Sequence, residues 1–137
     1  MSEFHAAVGR AHLAFCPPLQ RESLLEILRR STNDSDKLAH NRIELDKILE
    51  ETRARGYSSA VHPRRVSDEI TMAVPVLLED TVLGAVVIRF AEKAVPFKVA
   101  VERFVPKLRE AAQKIRQTFT EQQRNPPYRH SQPAQLG

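Results

Sequence analysis

His12 and Cys16 stand four residues apart, the spacing that places two side chains on one face of a helix. An imidazole and a thiolate so placed could share a metal ion. A structural zinc, however, takes four ligands, and His5 or His40 would have to converge from elsewhere. Cys16 follows Leu13-Ala14-Phe15, and an apolar setting raises a thiol pKa, so redox chemistry is not expected of it. A single cysteine also leaves no internal disulfide. The acidic pairs Glu50-Glu51 and Asp68-Glu69 are sequence neighbours. Neighbours on a helix or strand point different ways and make poor acid–base partners. The glycines Gly9, Gly56, Gly84 and Gly137 form no phosphate-cradling loop, and no nucleophile elbow, H-E-x-x-H or C-x-x-C is present. The residues thus offer no case for an enzyme, a metal or a cofactor.

With 137 residues the chain has room for one domain and a tail, and at 42% hydrophobic and 28% charged it has the composition of a soluble globular protein. Its net charge of +4 is mild. With no Trp and only two Tyr it lacks the exposed aromatics of a base-stacking single-strand binder, so the charge is read as decorating solvated helix faces. No apolar run approaches the roughly 20 residues of a membrane span. Met1-Ser2-Glu3-Phe4-His5 does not begin a secretion signal. A reduced, cytoplasmic setting without membrane contact is the expectation.

Periodicity supplies the elements. His5 to Phe15 reads as an Ala-rich helix that ends at Pro17-Pro18, and Pro18 opens a second helix through Arg30 with an apolar stripe of Leu24, Leu25 and Leu28. Residues 31–40 read as a polar loop. Asn41, answered by Glu44, caps a third helix to Arg55 whose inner face is Leu45, Ile48, Leu49 and Thr52; Gly56 ends it. The period then changes. Ser58 to Val61 is readable as a short added strand, and Ile70–Leu78 and Val82–Phe90 are β-rich runs joined by Glu79-Asp80-Thr81. Their near-continuous apolar stretches predict strands covered on both faces, with Pro75 at an edge or bulge. Pro96 to Thr120 is helical again. Val101, Val105, Leu108, Ala112, Ile115 and Phe119, spaced 4, 3, 4, 3, 4, form a seam suited to a sheet or a partner helix, and Pro106 should kink this helix or start another. Residues 121–137 read as a disordered tail. Two or three strands bury a sheet poorly, so another part of the domain or an oligomer is needed to complete it.

Several segments share an order and spacing. They are Ala6-Ala7-Val8-Gly9-Arg10-Ala11-His12-Leu13-Ala14-Phe15; Leu45-Asp46 through Arg53-Ala54-Arg55-Gly56-Tyr57; Thr71-Met72-Ala73-Val74-Pro75-Val76; Leu83-Gly84-Ala85-Val86-Val87-Ile88; and Phe104-Val105-Pro106-Lys107-Leu108-Arg109-Glu110-Ala111-Ala112. Together they resemble the effector-binding domain of IclR-family transcriptional regulators. That family carries an A-x-G-K-A-x-L-A helix, an R-x-R-G-Y turn, a C-I-A-A-P-V strand, a V-x-G-A-L-S-V-S strand and a closing helix with an internal proline. The resemblance covers about residues 5–120 and is closest to members that respond to aromatic acids.

The resemblance implies an α/β (α+β), GAF-like domain, here incomplete on its N-terminal side, with a small, mainly antiparallel sheet flanked by helices. It implies binding of a small organic acid effector and assembly into a homo-oligomer, a dimer or tetramer. DNA would be read only through a winged helix-turn-helix that this chain does not carry, so the chain resembles a truncated regulator. Backbone N–H groups of Ala7 and Val8 would sit at a helix start and favour a carboxylate. Thr71 stands where many members have Cys, and Ala60 where some have Asp. Val87 and Arg89 stand where members binding very small acids have two Ser; strand alternation puts both on one face. Val87 would widen an apolar lining and Arg89 would pair with a carboxylate, which suits an aromatic acid. The alternatives are ordinary strand packing for Thr71 and Val87, a solvated strand end beside Glu92 for Arg89, and, for the whole chain, a ligand-free dimerisation domain or a non-functional truncated regulator.

Overall fold

The computed structural model describes residues 3–30 and 42–124. Along them run α1 (Glu3–Phe15), α2 (Pro18–Arg29), α3 (Arg42–Arg55), β1 (Ser58–His62), β2 (Glu69–Leu78), β3 (Thr81–Ala91) and α4 (Phe97–Arg124). The strands form an antiparallel meander in the order β1-β2-β3. This is the expected α+β architecture with a small antiparallel sheet. The polar loop 31–40 and the Asn41 cap lie outside the described residues.

Alternation along β2 decides the layers. Ile70, Met72, Val74 and Val76 face α4, where Val105, Leu108 and Ala112 are buried against them. Thr71, Ala73 and Pro75 face the other way. There Ala73 meets Ala60 of β1 and Ala7 and Ala11 of α1. The division by size has a consequence. Large side chains fill the α4 side, whereas alanine on both partners lets α1 lie close to the sheet. Ser58 fixes that approach: its Oγ, fully buried, donates to the Ala7 carbonyl. Residues 70–76 are all buried, so the central strand is covered on both faces, as its apolar run predicts. β3 is only half-covered.

A smaller core joins the first three helices. Leu25 of α2 packs with Leu13 and Ala14 of α1 and Leu45 and Leu49 of α3. The last carbonyls of α1 are answered by side chains: Arg21 Nε donates to Leu13 O (2.7 Å), Arg21 Nη2 to Cys16 O (3.1 Å) and Arg53 Nη1 to Ala14 O (3.2 Å). Cations at a helix C-terminus also complement its dipole. Arg42 links α3 to α2 through both oxygens of Glu22, at 2.9 and 2.6 Å, and to Asp46 at 2.7 Å.

Two expectations about the last helix are corrected. Pro106 starts no second helix, because α4 runs unbroken from Phe97 to Arg124. Pro106 and Glu102, whose carbonyl loses its amide partner to the proline, are both exposed, so water can take the missing donor's place. Nor does the helix stop at Thr120, since Glu121 to Arg124 extend it; these are good helix formers. Glu92 Oε2 accepts the Phe97 N–H at its start.

The β2–β3 turn is tighter than the sequence suggested. Leu78 pairs with Thr81, leaving Glu79-Asp80 as a two-residue loop. Glu79 has φ 55°, and it alone among the described non-glycine residues has positive φ. Positive φ at the first loop position is the pattern of a type II′ turn, where glycine is preferred. Glu79→Gly is therefore expected to raise stability by about 0.5–1 kcal/mol, the relief of the left-handed backbone less the entropy cost of glycine. Urea denaturation would read this, and a loss of stability would mean the glutamate side chain holds the turn.

Candidate functional site

The sheet brings four of the singled-out residues onto one face. Thr71 is the register partner of both Ala60 and Arg89, so these three form a single row across the sheet. In the next row Ala73 pairs with Ser58 and Val87. Ala7 packs on this second row, so α1 lies against the sheet at these residues. Thr71 is 1% exposed, Val87 is half-buried and Arg89 is exposed at the rim.

Two features differ from the expectation. Since α1 begins at Glu3, Ala7 and Val8 fall in its second turn, where each N–H is taken by the carbonyl four residues back. No proline or glycine precedes Ala6 to delay the helix. The amides of Ala7 and Val8 therefore do not stand free at a helix start. The seam between α1 and the sheet is also filled: Ala7 and Ala11 are 0% exposed. Three hollows, beside Pro75, along the end of α4 and beside Cys16, are lined by none of Thr71, Val87 and Arg89.

Arg10 is the residue the sequence reading passed over. It lies on α1 at the border of the alanine stripe, is half-buried, and donates from Nη1 to Ser59 O at 2.8 Å. Burial lowers its pKa, and no carboxylate among the described residues offsets that cost. The signal for it was a cation set between Ala7 and Ala11 on a face with no acidic neighbour. Arg89 likewise has no ion-pair partner among the described residues. Glu92, its sequence neighbour, is turned to the start of α4. The α1 face thus carries two arginines that have no counter-ion among the described residues.

Among the described residues, no three His, Cys, Asp or Glu side chains stand close enough to hold an ion; His40, the further ligand considered for His12 and Cys16, lies outside them. Cys16 is buried, with Sγ 3.6 Å from Leu13 O, and burial pushes its thiol pKa up against the opposing pull of Arg21. None of the described helices is long and apolar enough to cross a membrane.

No protein-family model matches the chain. Solved structures do. A transcriptional regulator from Rhodococcus sp. RHA1 matches with a TM-score of 0.62 and 23% identity, over 81% of this chain and 45% of its own. An IclR-family transcriptional regulator from Brucella abortus matches with a TM-score of 0.58 and 24% identity, over 82% of this chain and 42% of its own. The inducer-binding domain of the PobR transcription factor from Acinetobacter, a double mutant in complex with 3-hydroxybenzoic acid, matches with a TM-score of 0.60 and 18% identity, over 85% of this chain and 68% of its own. The chain spans under half the length of the first two. Helices on both faces of a three-stranded antiparallel sheet are therefore a fold this chain shares with IclR-family transcriptional regulators, over a region that in the Acinetobacter protein is an inducer-binding domain.

Proposed function

We propose that this chain is the ligand-sensing and oligomerisation module of a cytoplasmic transcriptional regulator, not an enzyme, and that its effector is a small organic acid with an aromatic body. DNA would be bound through a separate domain. The observation that carries this reading is the row Ala60–Thr71–Arg89 beneath α1, with Val87 beside it and no acid opposite Arg89. The carboxylate would meet Arg89 and the Thr71 hydroxyl, with Arg10 adding positive potential. The ring would lie on Val87 and Ala60, displacing the wall formed by Ala7 and Ala11. Alanine contacts bury little area, so the main cost of parting α1 from the sheet is the Ser58–Ala7 and Arg10–Ser59 hydrogen bonds.

Calorimetric titration with 3-hydroxybenzoate, benzoate and acetate tests this. The aromatic acids should bind about tenfold or more tighter than acetate, the worth of burying a ring. Arg89→Ala should weaken them by about tenfold, the loss of one charged hydrogen bond. Tighter binding of acetate, or no response to Arg89→Ala, would sink the reading. A ligand-free dimerisation role has one observation behind it: the α4 seam continues past the sheet to Ile115, which is 49% exposed. It predicts no titration with any acid and a monomer on Ile115→Glu.

A further inference from the structure

β2 runs longer than its neighbour. β1 pairs with it only as far as Ala73, and from Val74 to Leu77 β2 has a strand on one side alone. Pro75 sits in this half-paired stretch, where its missing N–H leaves no ladder bond unmade on the open side. A hollow of about 330 Å³ opens there, floored by Val74, Pro75, Leu77 and Phe15 and bounded by Arg109 and Arg116 of α4. That volume lies at the small end of the range for ligand sites, about 300–1,000 Å³.

The rim is held in place. Gly56, with φ 86°, ends α3, and a Cβ there would come within 2.9 Å of the Arg109 guanidinium. Glycine thus makes room for Arg109, whose Nη2 donates to Arg55 O. Arg55 itself lies over the Tyr57 ring, 4.7 Å from its centroid. Arg116 follows Arg109 by two helical turns and so faces the same way. No acidic side chain among the described residues lines the hollow. An apolar floor beneath two guanidiniums with no carboxylate partner among the described residues selects an anion with an apolar body.

We propose that this hollow is a second binding site, distinct from the α1 face, for a small carboxylate carrying an aromatic or branched hydrocarbon group. Arg109 and Arg116 would take the carboxylate, and Pro75, Leu77 and Phe15 the hydrocarbon. The site stands on its own geometry and does not depend on acid binding beside Arg89.

Amide-resolved NMR titration of the chain with benzoate, and with its uncharged counterpart benzamide, tests it. Benzoate should shift the Gly56 and Gln113 amides saturably, and benzamide should do so at least about tenfold more weakly. Arg109→Gln with Arg116→Gln should weaken the benzoate effect at those amides by about tenfold or more; Arg116→Gln alone, which leaves the Arg109–Arg55 tie intact, should weaken it by several-fold. Arg89→Gln should leave those amides unaffected and change only the response at Thr71 and Val87. Failure of the Thr71 and Val87 amides to respond would count against the α1-face site and not this one. Unmoved Gly56 and Gln113 amides, equal binding of benzamide, or a response indifferent to both arginines would overturn the proposal.

Discussion

Met72→Ala is expected to lower the stability of the fold by about 2–5 kcal/mol, the range for emptying a well-packed methionine site. Met72 is 0% exposed at the centre of β2, in the cluster formed with Tyr57, Ile70, Val74, Val105 and Leu108. It is the largest fully buried side chain on that strand. The surrounding backbone is held on both sides by Ser59 and Ile88, its register partners, so the site has little freedom to collapse. Small domains have only about 5–15 kcal/mol to lose, so the variant should be partly unfolded at modest urea concentrations. Leu19→Ala, at a position 84% exposed, should change stability by less than about 0.5 kcal/mol and serves as the control. A Met72→Ala loss below about 1 kcal/mol would mean that α4 is not seated on the sheet as described.

Met72 also marks what local pattern could reveal. An uninterrupted apolar run from Ala73 to Leu78 cannot show which residue faces which layer, but it does show that both faces are covered. The seam from Val101 to Phe119 could likewise be recognised by its spacing, and the sheet takes it up as far as Ala112. Other features depend on what a local pattern does not contain. Whether Pro106 breaks a helix depends on whether its lost hydrogen bond faces water, which only the tertiary arrangement decides. The start of α1 hung on residues with no strong signal either way.

The candidate site was legible in one respect. Alternation alone puts Thr71 with Ala73 on one face and Val87 with Arg89 on one face, and the hairpin joins the two. That Thr71 stands opposite both Ala60 and Arg89 needs the register: the turn holds two residues rather than three, and an irregularity at Val76/Leu77 takes up the difference before Thr71 is reached. Arg10 was missed because its importance lies in what it lacks, a nearby acid, and that is a property of the folded neighbourhood. The hollow beside Pro75 exists because β1 is shorter than β2, a difference in strand length that no motif records.

Ala11→Leu is expected to act in two ways at once. Ala11 is 0% exposed between α1 and the alanines of β1 and β2, so three added carbons have no space to enter. Overpacking of this kind costs about 1–3 kcal/mol, and more where the backbone must move. Here it would have to move, because Ser58 Oγ ties α1 to the sheet through the Ala7 carbonyl, and Arg10 does so through Ser59. The same substitution would fill the space into which an aromatic ring is proposed to wedge. Urea denaturation would measure the first effect and titration with 3-hydroxybenzoate the second. A variant destabilised by about 1–3 kcal/mol yet still folded should lose most of its acid affinity, whereas Leu25→Ala, which unsettles the α1–α2–α3 core by a comparable or larger amount, should keep it. The comparison separates a seam that is merely packed from one that opens to a ligand: equal affinity in both variants would leave α1 as structural cladding on the sheet.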